Sequence, residues 1–413
     1  MSYWNPRKLW MVLGTGALVL AGCGSATTGA PSGPATGTPY KVGLLATLSG
    51  SNARIGTDTK AGTQVAVDEI NASGGVNGHP LELVVKDEQA KADVTVSAMR
   101  EFADAKIGVV LGGTVTPDCL GANPIAEQND IAFVSSSCNA ITLTTDKLSK
   151  NYFQISPSTV QYANAAAGYV QKKYASIDTW DVAAYDYATG HAFWDDFKRA
   201  LATRVTTAKF GKEVFFPLNT TQFAPFITSL TAAAPSGSNH GLYSFSFGGG
   251  AVSFYKQAAS YKLSEHFKVI LAIAGSEPTS EALAADGPQL DYLYDYYSTA
   301  YTTDSNKKFV TDYGKANAGA TPDSWAYEGF TAVQAAAAAM KKAGSMDGAA
   351  VLKVLPGLHF TTAKGDVYFR ASDHALVSPT TAFTCKGDGT AAKGYMCPSA
   401  TSIPPAGTMP GLQ

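Results

Sequence analysis

The sequence predicts an α/β fold made of two similar lobes, each on a largely parallel sheet. Three observations carry this. Short apolar, β-branched runs alternate with longer helix-like stretches from Tyr40 to Ile273, the pattern of β-α units joined by right-handed crossovers. The strand runs are near-continuously apolar, as in sheets buried on both faces. Four such units precede Ser156 and four follow it, which suits two lobes better than one very long sheet.

The elements follow in order. Strands are expected at 40–45, 81–86, 107–111 and 131–135 in the first half. Helices are expected between them at 59–71, 93–104 and 121–128. The first helix stops at Ser73-Gly74-Gly75, a C-terminal glycine signal followed by a turn. The second half repeats the pattern, with strands at 181–185, 212–216, 242–247 and 269–273. Its helices are expected at 159–174, 192–203, 222–233 and 252–261. Beyond Ile273 the pattern changes to a Tyr-rich stretch at 292–301, then helices at 306–315 and 324–343. Five alanines at 335–339 make the latter a strong helix. A short helix at 348–355 ends at Pro356-Gly357. Strand-like pieces lie at 366–369 and 375–383, and residues 401–413, rich in Pro and Gly, read as a loose tail.

The first 23 residues read differently. Arg7 and Lys8 precede an apolar run at 9–20, closed by Leu20-Ala21-Gly22-Cys23. A charged start, a short apolar middle and a small-residue end make an export signal, too short for a membrane span. The tetrapeptide resembles a bacterial lipobox, which implies a signal peptide at 1–22 and lipid on Cys23. The chain is then expected outside the cytoplasm, anchored to the bacterial cell membrane by acyl chains. Residues 23–38, rich in Gly, Ser, Thr and Pro, read as a flexible tether.

Composition narrows the function. Lys plus Arg is 31 and Asp plus Glu is 33, a near-balance that argues against a nucleic-acid partner. Cys119, Cys138, Cys385 and Cys397 form two local pairs in an exported chain, which suggests two disulfides, other pairings remaining open. No G-x-S-x-G elbow is found, and Gly62-Thr63 lacks the Lys of a phosphate loop. The six histidines are scattered, with no two at helical ligand spacing. Asp195 and Asp196 are adjacent, so they point apart on a helix. The expectation is therefore no enzyme, no metal and no cofactor.

Residues 41–89 hold the most information. They read as a strand, a hydroxyl-rich loop, an amphipathic helix, a Gly turn and a second strand. The loop at 47–56, with Ser49, Asn52 and Ile55, follows the carboxyl end of the first strand, where ligands bind in open α/β sheets. Its hydroxyls and backbone donors suit holding a ligand better than reacting with one.

The block carries Leu48-Ser49-Gly50, Val67-Asp68-Glu69-Ile70-Asn71-Ala72 and Gly74-Gly75-Val76-Asn77-Gly78. It resembles the start of type I periplasmic solute-binding proteins of ABC importers, in the branched-chain amino-acid-binding (Leu/Ile/Val) family. The likeness continues at Val109-Val110-Leu111-Gly112-Gly113, at residues 151–158 and at 327–343. It implies two Rossmann-like lobes joined by three crossovers, with a ligand in the cleft between them. The crossovers are expected near 156–158, 274–278 and 371–374. Lobe one is then 39–157 plus 278–371, and lobe two 158–277 plus 372–400.

The resemblance also implies ligand contacts, carried over by position. A carboxylate-holding hydroxyl falls at Thr116, with Thr114 beside it, and the next strand-end loop falls at Ser137-Cys138-Asn139. In lobe two the matching positions are Thr189, with Tyr187 close by, and Phe247-Gly248-Gly249-Gly250. Amino-acid binders place an acid near that last loop, and here there is none. A buried ammonium without a carboxylate is costly, so a plain aliphatic α-amino acid is disfavoured unless Asp186 or Glu277 replaces the acid. Phe247, Tyr187 and Tyr296 are expected to wall a larger or flatter ligand, and Gly250 to leave room for it. The implied function is a monomeric, lipid-anchored binding protein that hands an amino acid, amide, urea-like compound or small aromatic acid to ABC permease subunits. The alternative is a ligand-sensing module of the same fold.

Overall fold

The computed structural model describes residues 35–409. The expected signal peptide, Cys23 and most of the tether lie outside them.

Lobe one holds a five-stranded parallel sheet built from β1 (Tyr40–Ala46), β2 (Leu81–Asp87), β3 (Val109–Gly112), β4 (Ala132–Ser135) and β5 (Tyr152–Gln154). Their spatial order is β2-β1-β3-β4-β5. Its helices are α1 (Ala53–Ala72), α2 (Ala92–Asp104) and α3 (Thr116–Gln128). Side chains alternate between two buried faces. Val42, Leu44, Val109, Leu111 and Val134 share one core, and Leu45, Val110 and Phe133 another. In β3 and β4, buried on both faces, nearly every position is apolar, which is why they read as unbroken runs, whereas the edge strand β2 is half-buried and mixes in Glu, Lys and Asp.

Lobe two repeats the plan. Its parallel strands are β6 (Thr179–Tyr185), β7 (Lys209–Phe216), β8 (His240–Phe245), β9 (Val269–Ile273) and β10 (Leu290–Tyr294). They are ordered β7-β6-β8-β9-β10, the same 2-1-3-4-5 order as in lobe one. Its helices are α4 (Thr159–Lys173), α5 (Ala188–Arg204), α6 (Ala224–Ala233), α7 (Gly248–Ser260), α8 (Leu263–His266) and α9 (Glu277–Leu283).

The chain then returns to lobe one with α10 (Asp304–Ala316), α11 (Ser324–Ala343), α12 (Gly348–Leu352) and a small antiparallel sheet. That sheet comprises β11 (His359–Thr362), β12 (Gly365–Phe369) and β13 (Leu376–Val377). The α11 helix packs along α1. A Cβ on Gly62 would lie 1.8 Å from the Ala326 carbonyl oxygen, so glycine is what permits this approach. Finally β14 (Thr380–Gly387) and β15 (Tyr395–Ile403) extend the lobe-two sheet antiparallel beyond β10, making seven strands.

Three expected boundaries are corrected. The second crossing falls after Tyr294, not at 274–278, because β10 pairs in parallel with β9. The third falls after Val377, not at 371–374. Residues 370–374 close the turn between β12 and β13, with the Arg370 N–H on the Ala375 carbonyl, and Ala375 bridges Gln154 at the edge of lobe one. Residues 278–294 thus belong to lobe two and 372–377 to lobe one. The tail is not loose as far as it is described: 401–403 are in β15, and Thr408 and Met409 are buried. Both local cysteine pairs are joined, Cys119 to Cys138 and Cys385 to Cys397.

Several helices begin earlier than their sequence suggests: α1 at Ala53, α3 at Thr116, α5 at Ala188 and α7 at Gly248. Their first turns hold Gly56, Thr116-Pro117, Thr189-Gly190 and Gly248-Gly249-Gly250. These residues are weak helix formers, although proline suits a first turn. These four turns all lie on the side where the lobes meet.

Candidate functional site

The shared 2-1-3-4-5 order creates a switch point in each sheet, between β1 and β3 and between β6 and β8. Ligand crevices in open α/β sheets form outside the carboxyl ends of the strands at such points. Here the two switch points face each other. A cavity between them is lined from lobe one by Ile55, Thr114, Val115, Thr116, Ser137, Asn139 and Trp325. Lobe two contributes Tyr187, Phe245, Phe247, Ala274 and Tyr294.

The lobes touch around this cavity. The Thr189 hydroxyl donates to the Thr116 hydroxyl at 3.1 Å. The Gly249 N–H donates to the Ser51 carbonyl at 3.2 Å. At the rim, Arg54 on α1 reaches Glu281 on α9 at 3.4 Å. The cavity volume is about 20 Å³, little more than one water molecule needs. Admitting a ligand therefore requires the lobes to part, the hinge motion of two-lobed binding folds.

Two features define the chemistry of the lining. First, helix N-termini converge on it: α1, α3, α5, α7 and α11 all begin at or beside lining residues. Each helix start carries a partial positive charge, which favours an anionic group. Second, the body of the cavity is aromatic. Phe245 stacks on Tyr187 at 6.3 Å between centroids and lies 5.7 Å from Phe247, while Tyr294 meets Trp325 edge-on at 6.3 Å. No charged side chain is among the lining residues.

Buried acids stand one layer behind the hydroxyls. Thr114 donates to Glu88 Oε1 at 2.6 Å, and Thr47 donates to the Thr114 oxygen at 3.0 Å. Burial pushes Glu88 up to about 7 despite the Thr114 hydrogen bond. Burial, then the nearby Glu88 charge, pushes Asp118 up to about 8. Asp118 accepts the Val115 N–H at 3.3 Å at the start of α3. On the other side, the Ser137 hydroxyl donates to Glu328, whose carboxyl is held well above its usual range by burial and then by Asp295.

Of the sequence-predicted residues, the structure brings Ile55, Thr114, Thr116, Ser137, Asn139, Tyr187 and Phe247 together on the cavity wall. The others stand elsewhere. Ser49 is exposed, one residue past Leu48, whose N–H donates to Asp87 at 2.9 Å. Asn52 lies at the seam against Gly248, where a Cβ would come within 2.5 Å of its side-chain oxygen. Cys138 is fully buried in its disulfide with Cys119, behind the wall. Thr189 spans the seam to Thr116. Gly250 makes room for the Tyr185 hydroxyl rather than for a ligand. Tyr296 is core, not wall: it stacks between Tyr301 and Tyr327, and its hydroxyl donates to Asn306. Neither candidate replacement acid lines the cavity. Asp186 pairs with His191 at 2.8 Å, and Glu277 accepts the Tyr395 hydroxyl at 2.6 Å.

Val115, Phe245, Ala274, Tyr294 and Trp325 were missed by sequence reasoning. Phe245 and Tyr294 end strands and Trp325 opens a helix behind the Asp323 cap. A strand-end ring is therefore the signal that could have found two of them.

The comparisons agree with this geometry. A family profile described as periplasmic binding protein matches residues 39–390. The Leu/Ile/Val-binding protein BraC3 of Rhizobium johnstonii is 31% identical over 133 residues, 32% of this chain and 36% of that protein. The Leu/Ile/Val-binding protein homolog 7 of Brucella abortus is 25% identical over 344 residues, 78% of this chain and 82% of the relative. Among solved structures, a solute-binding protein of an ABC transporter from Rhodopseudomonas palustris, in complex with 3,4-dihydroxybenzoic acid, superposes with TM-score 0.74. It is 21% identical and covers 89% of this chain and 96% of its own. A branched-chain amino acid transporter substrate-binding protein from Streptococcus pneumoniae, in complex with isoleucine, has TM-score 0.76. It is 20% identical and covers 89% of this chain and 99% of its own. The two-lobed parallel-sheet fold, the cavity between the lobes and the profile match agree: the chain belongs to the periplasmic binding protein family, with the branched-chain amino-acid-type solute-binding proteins of ABC importers.

Proposed function

We propose that the protein captures a small aromatic carboxylate between its lobes and delivers it to the permease subunits of an ABC importer. We further propose that it works outside the cytoplasm as a monomer, tethered through lipid on Cys23. The observation that carries the ligand class is the lining itself. Five rings form the body of the cavity, helix N-termini and hydroxyls suit a carboxylate, and no acid stands ready for an ammonium. An aliphatic α-amino acid would bury its ammonium unpaired, at a cost of several kcal/mol. A flat aromatic acid leaves no such group. A neighbour of the same fold holds 3,4-dihydroxybenzoic acid, a ligand of this class, and another holds isoleucine. The mechanism is closure of the lobes on the ligand, with no bond chemistry.

The test uses the chain from Gly24 onward, unfolded and refolded to release any carried compound. Calorimetric titration with benzoate, 4-hydroxybenzoate and isoleucine should give saturable binding of an aromatic acid. Binding of isoleucine alone would overturn the ligand class. Mass spectrometry of the full chain from membranes should find diacylglyceryl on Cys23, and its absence would overturn the tether.

A further inference from the structure

Two cavity hydroxyls face away from the ligand space. Thr114 gives its hydrogen to Glu88, and Ser137 gives its hydrogen to Glu328. Both glutamates are fully buried, and each keeps one carboxyl oxygen without a partner. Resting on the cavity reading above, we infer that Glu88 and Glu328 are positioning residues that set ligand specificity. The proton that each glutamate holds or lacks decides whether Thr114 and Ser137 offer the ligand a hydrogen or a lone pair.

The argument is a count of donors. A hydroxyl has one hydrogen and two acceptor positions, and an ionised carboxylate only accepts. With Glu88 ionised, the Thr114 hydrogen is committed to it, and the Thr47 hydroxyl fills one Thr114 lone pair. Thr114 then shows the cavity an acceptor, which repels a carboxylate and suits an N–H group. With Glu88 protonated, its O–H donates to the second Thr114 lone pair, and the Thr114 hydrogen turns to the cavity. The Thr114 lone pairs are then both filled by donors, and an anion meets a donor. The same exchange operates at Ser137 with Glu328. An anionic ligand therefore binds together with protons drawn from solvent, and no other group changes hands.

The surroundings favour the protonated forms. Around Glu88 stand Thr47 after β1, Asp87 beside it, Thr114 after β3 and Asp118 on α3. No cation is among the groups acting on Glu88. Around Glu328 stand Ser137, Asp295, Asp323 and Lys364, with Tyr162 of α4 and Tyr294 of β10 also within its field. The single cation, Lys364, is committed to Asp295, the Ser378 hydroxyl and the Pro379 carbonyl. A buried carboxyl with acidic neighbours and no free cation keeps its proton to higher pH.

The experiment is titration of benzoate, ionised throughout, between about pH 6 and about pH 9, by calorimetry. Affinity should fall as pH rises, approaching about tenfold per pH unit for each coupled proton. Glu88→Gln and Glu328→Gln supply an amide donor in place of the carboxyl O–H. Each should flatten part of the slope and bind benzoate more tightly than wild type at the alkaline end. A wild-type affinity independent of pH, or slopes unchanged in both variants, overturns the inference. If benzoate binds at no pH, the ligand class fails, and infrared spectroscopy of the unliganded protein decides this inference separately. A protonated-carboxyl C=O stretch at neutral pH in wild type that titrates away at alkaline pH, and weakens in any Gln variant that folds, supports it. Absence of that stretch in wild type overturns it.

Discussion

At Lys364 the chain buries an ammonium. The side chain is fully buried and pairs with the equally buried Asp295. Its nitrogen also lies 4.6 Å from the centre of the Tyr327 ring. Breaking a buried pair from one side leaves the other charge uncompensated, which costs about 3–5 kcal/mol. Lys364→Met should therefore destabilise the protein by that amount in urea unfolding, far more than its lost packing. Tyr296 makes a gentler case. Its hydroxyl donates to Asn306, which in turn holds the Ser298 and Tyr301 carbonyls. Tyr296→Phe should cost about 1–3 kcal/mol and leave ligand affinity unchanged, since the residue stands outside the cavity. A change in affinity at equal occupancy would return Tyr296 to the site.

At the scale of elements, the contact of α1 with α11 turns on Gly62. Alanine is favoured over glycine in a helix by about 1 kcal/mol. Yet a Cβ here would sit 1.8 Å from the Ala326 carbonyl oxygen, so the helices must separate. Overpacking of this kind costs about 1–3 kcal/mol or more, and the clash outweighs the propensity. Gly62→Ala should lower the urea midpoint, whereas the same change at exposed Gly237, with open space around it but φ near +79°, should cost only backbone strain. The start of α3 gives a pH prediction. Glu88 and Asp118 are pushed up to about 7 and about 8 in the fold, against roughly 4 when unfolded. The native state thus binds more protons than the unfolded state between these values, and stability must fall as pH rises through that window. Asp118→Asn should flatten the decline of the melting temperature between about pH 5 and about pH 8. An unchanged profile would show that the pair ionises normally.

For the whole molecule, the seam between lobes sets the closed state. Thr189 contributes one of its few direct side-chain hydrogen bonds, to Thr116. Thr189→Val keeps the volume and removes that bond, worth about 1 kcal/mol net. It should shift the lobes toward opening and weaken ligand binding about fivefold. Small-angle scattering of unliganded protein should show a larger radius of gyration than wild type. An equal radius and an equal affinity would mean that closure rests on the backbone contact of Gly249 with Ser51 and on the rim ion pair.

The sequence by itself determined the parallel strands β1–β4 and β6–β9, the inner ones because strands buried on both faces must be apolar throughout and the edge strands β2 and β7 through their β-α alternation. It also determined the two-lobed plan and suggested the local cysteine pairs, which the structure joins. It did not reveal β10, whose Asp291 breaks the apolar run. That carboxylate is accommodated by Tyr169, Tyr174, Lys173 and Thr384, all about a hundred residues away. Without β10 the second crossing was placed too early. The cavity wall was half legible. The strand-end hydroxyls sit beside Gly-rich turns that any reader of α/β patterns will mark. Trp325 opens a helix and carries no local sign, and Phe245 and Tyr294 carry only their place at strand ends, which core rings share. The buried acids behind the hydroxyls were likewise invisible: whether Glu88 or Glu328 meets water or a hydroxyl is decided by strands and helices brought together from across the chain. Local pattern fixes what a segment becomes; only packing decides what its polar atoms must satisfy.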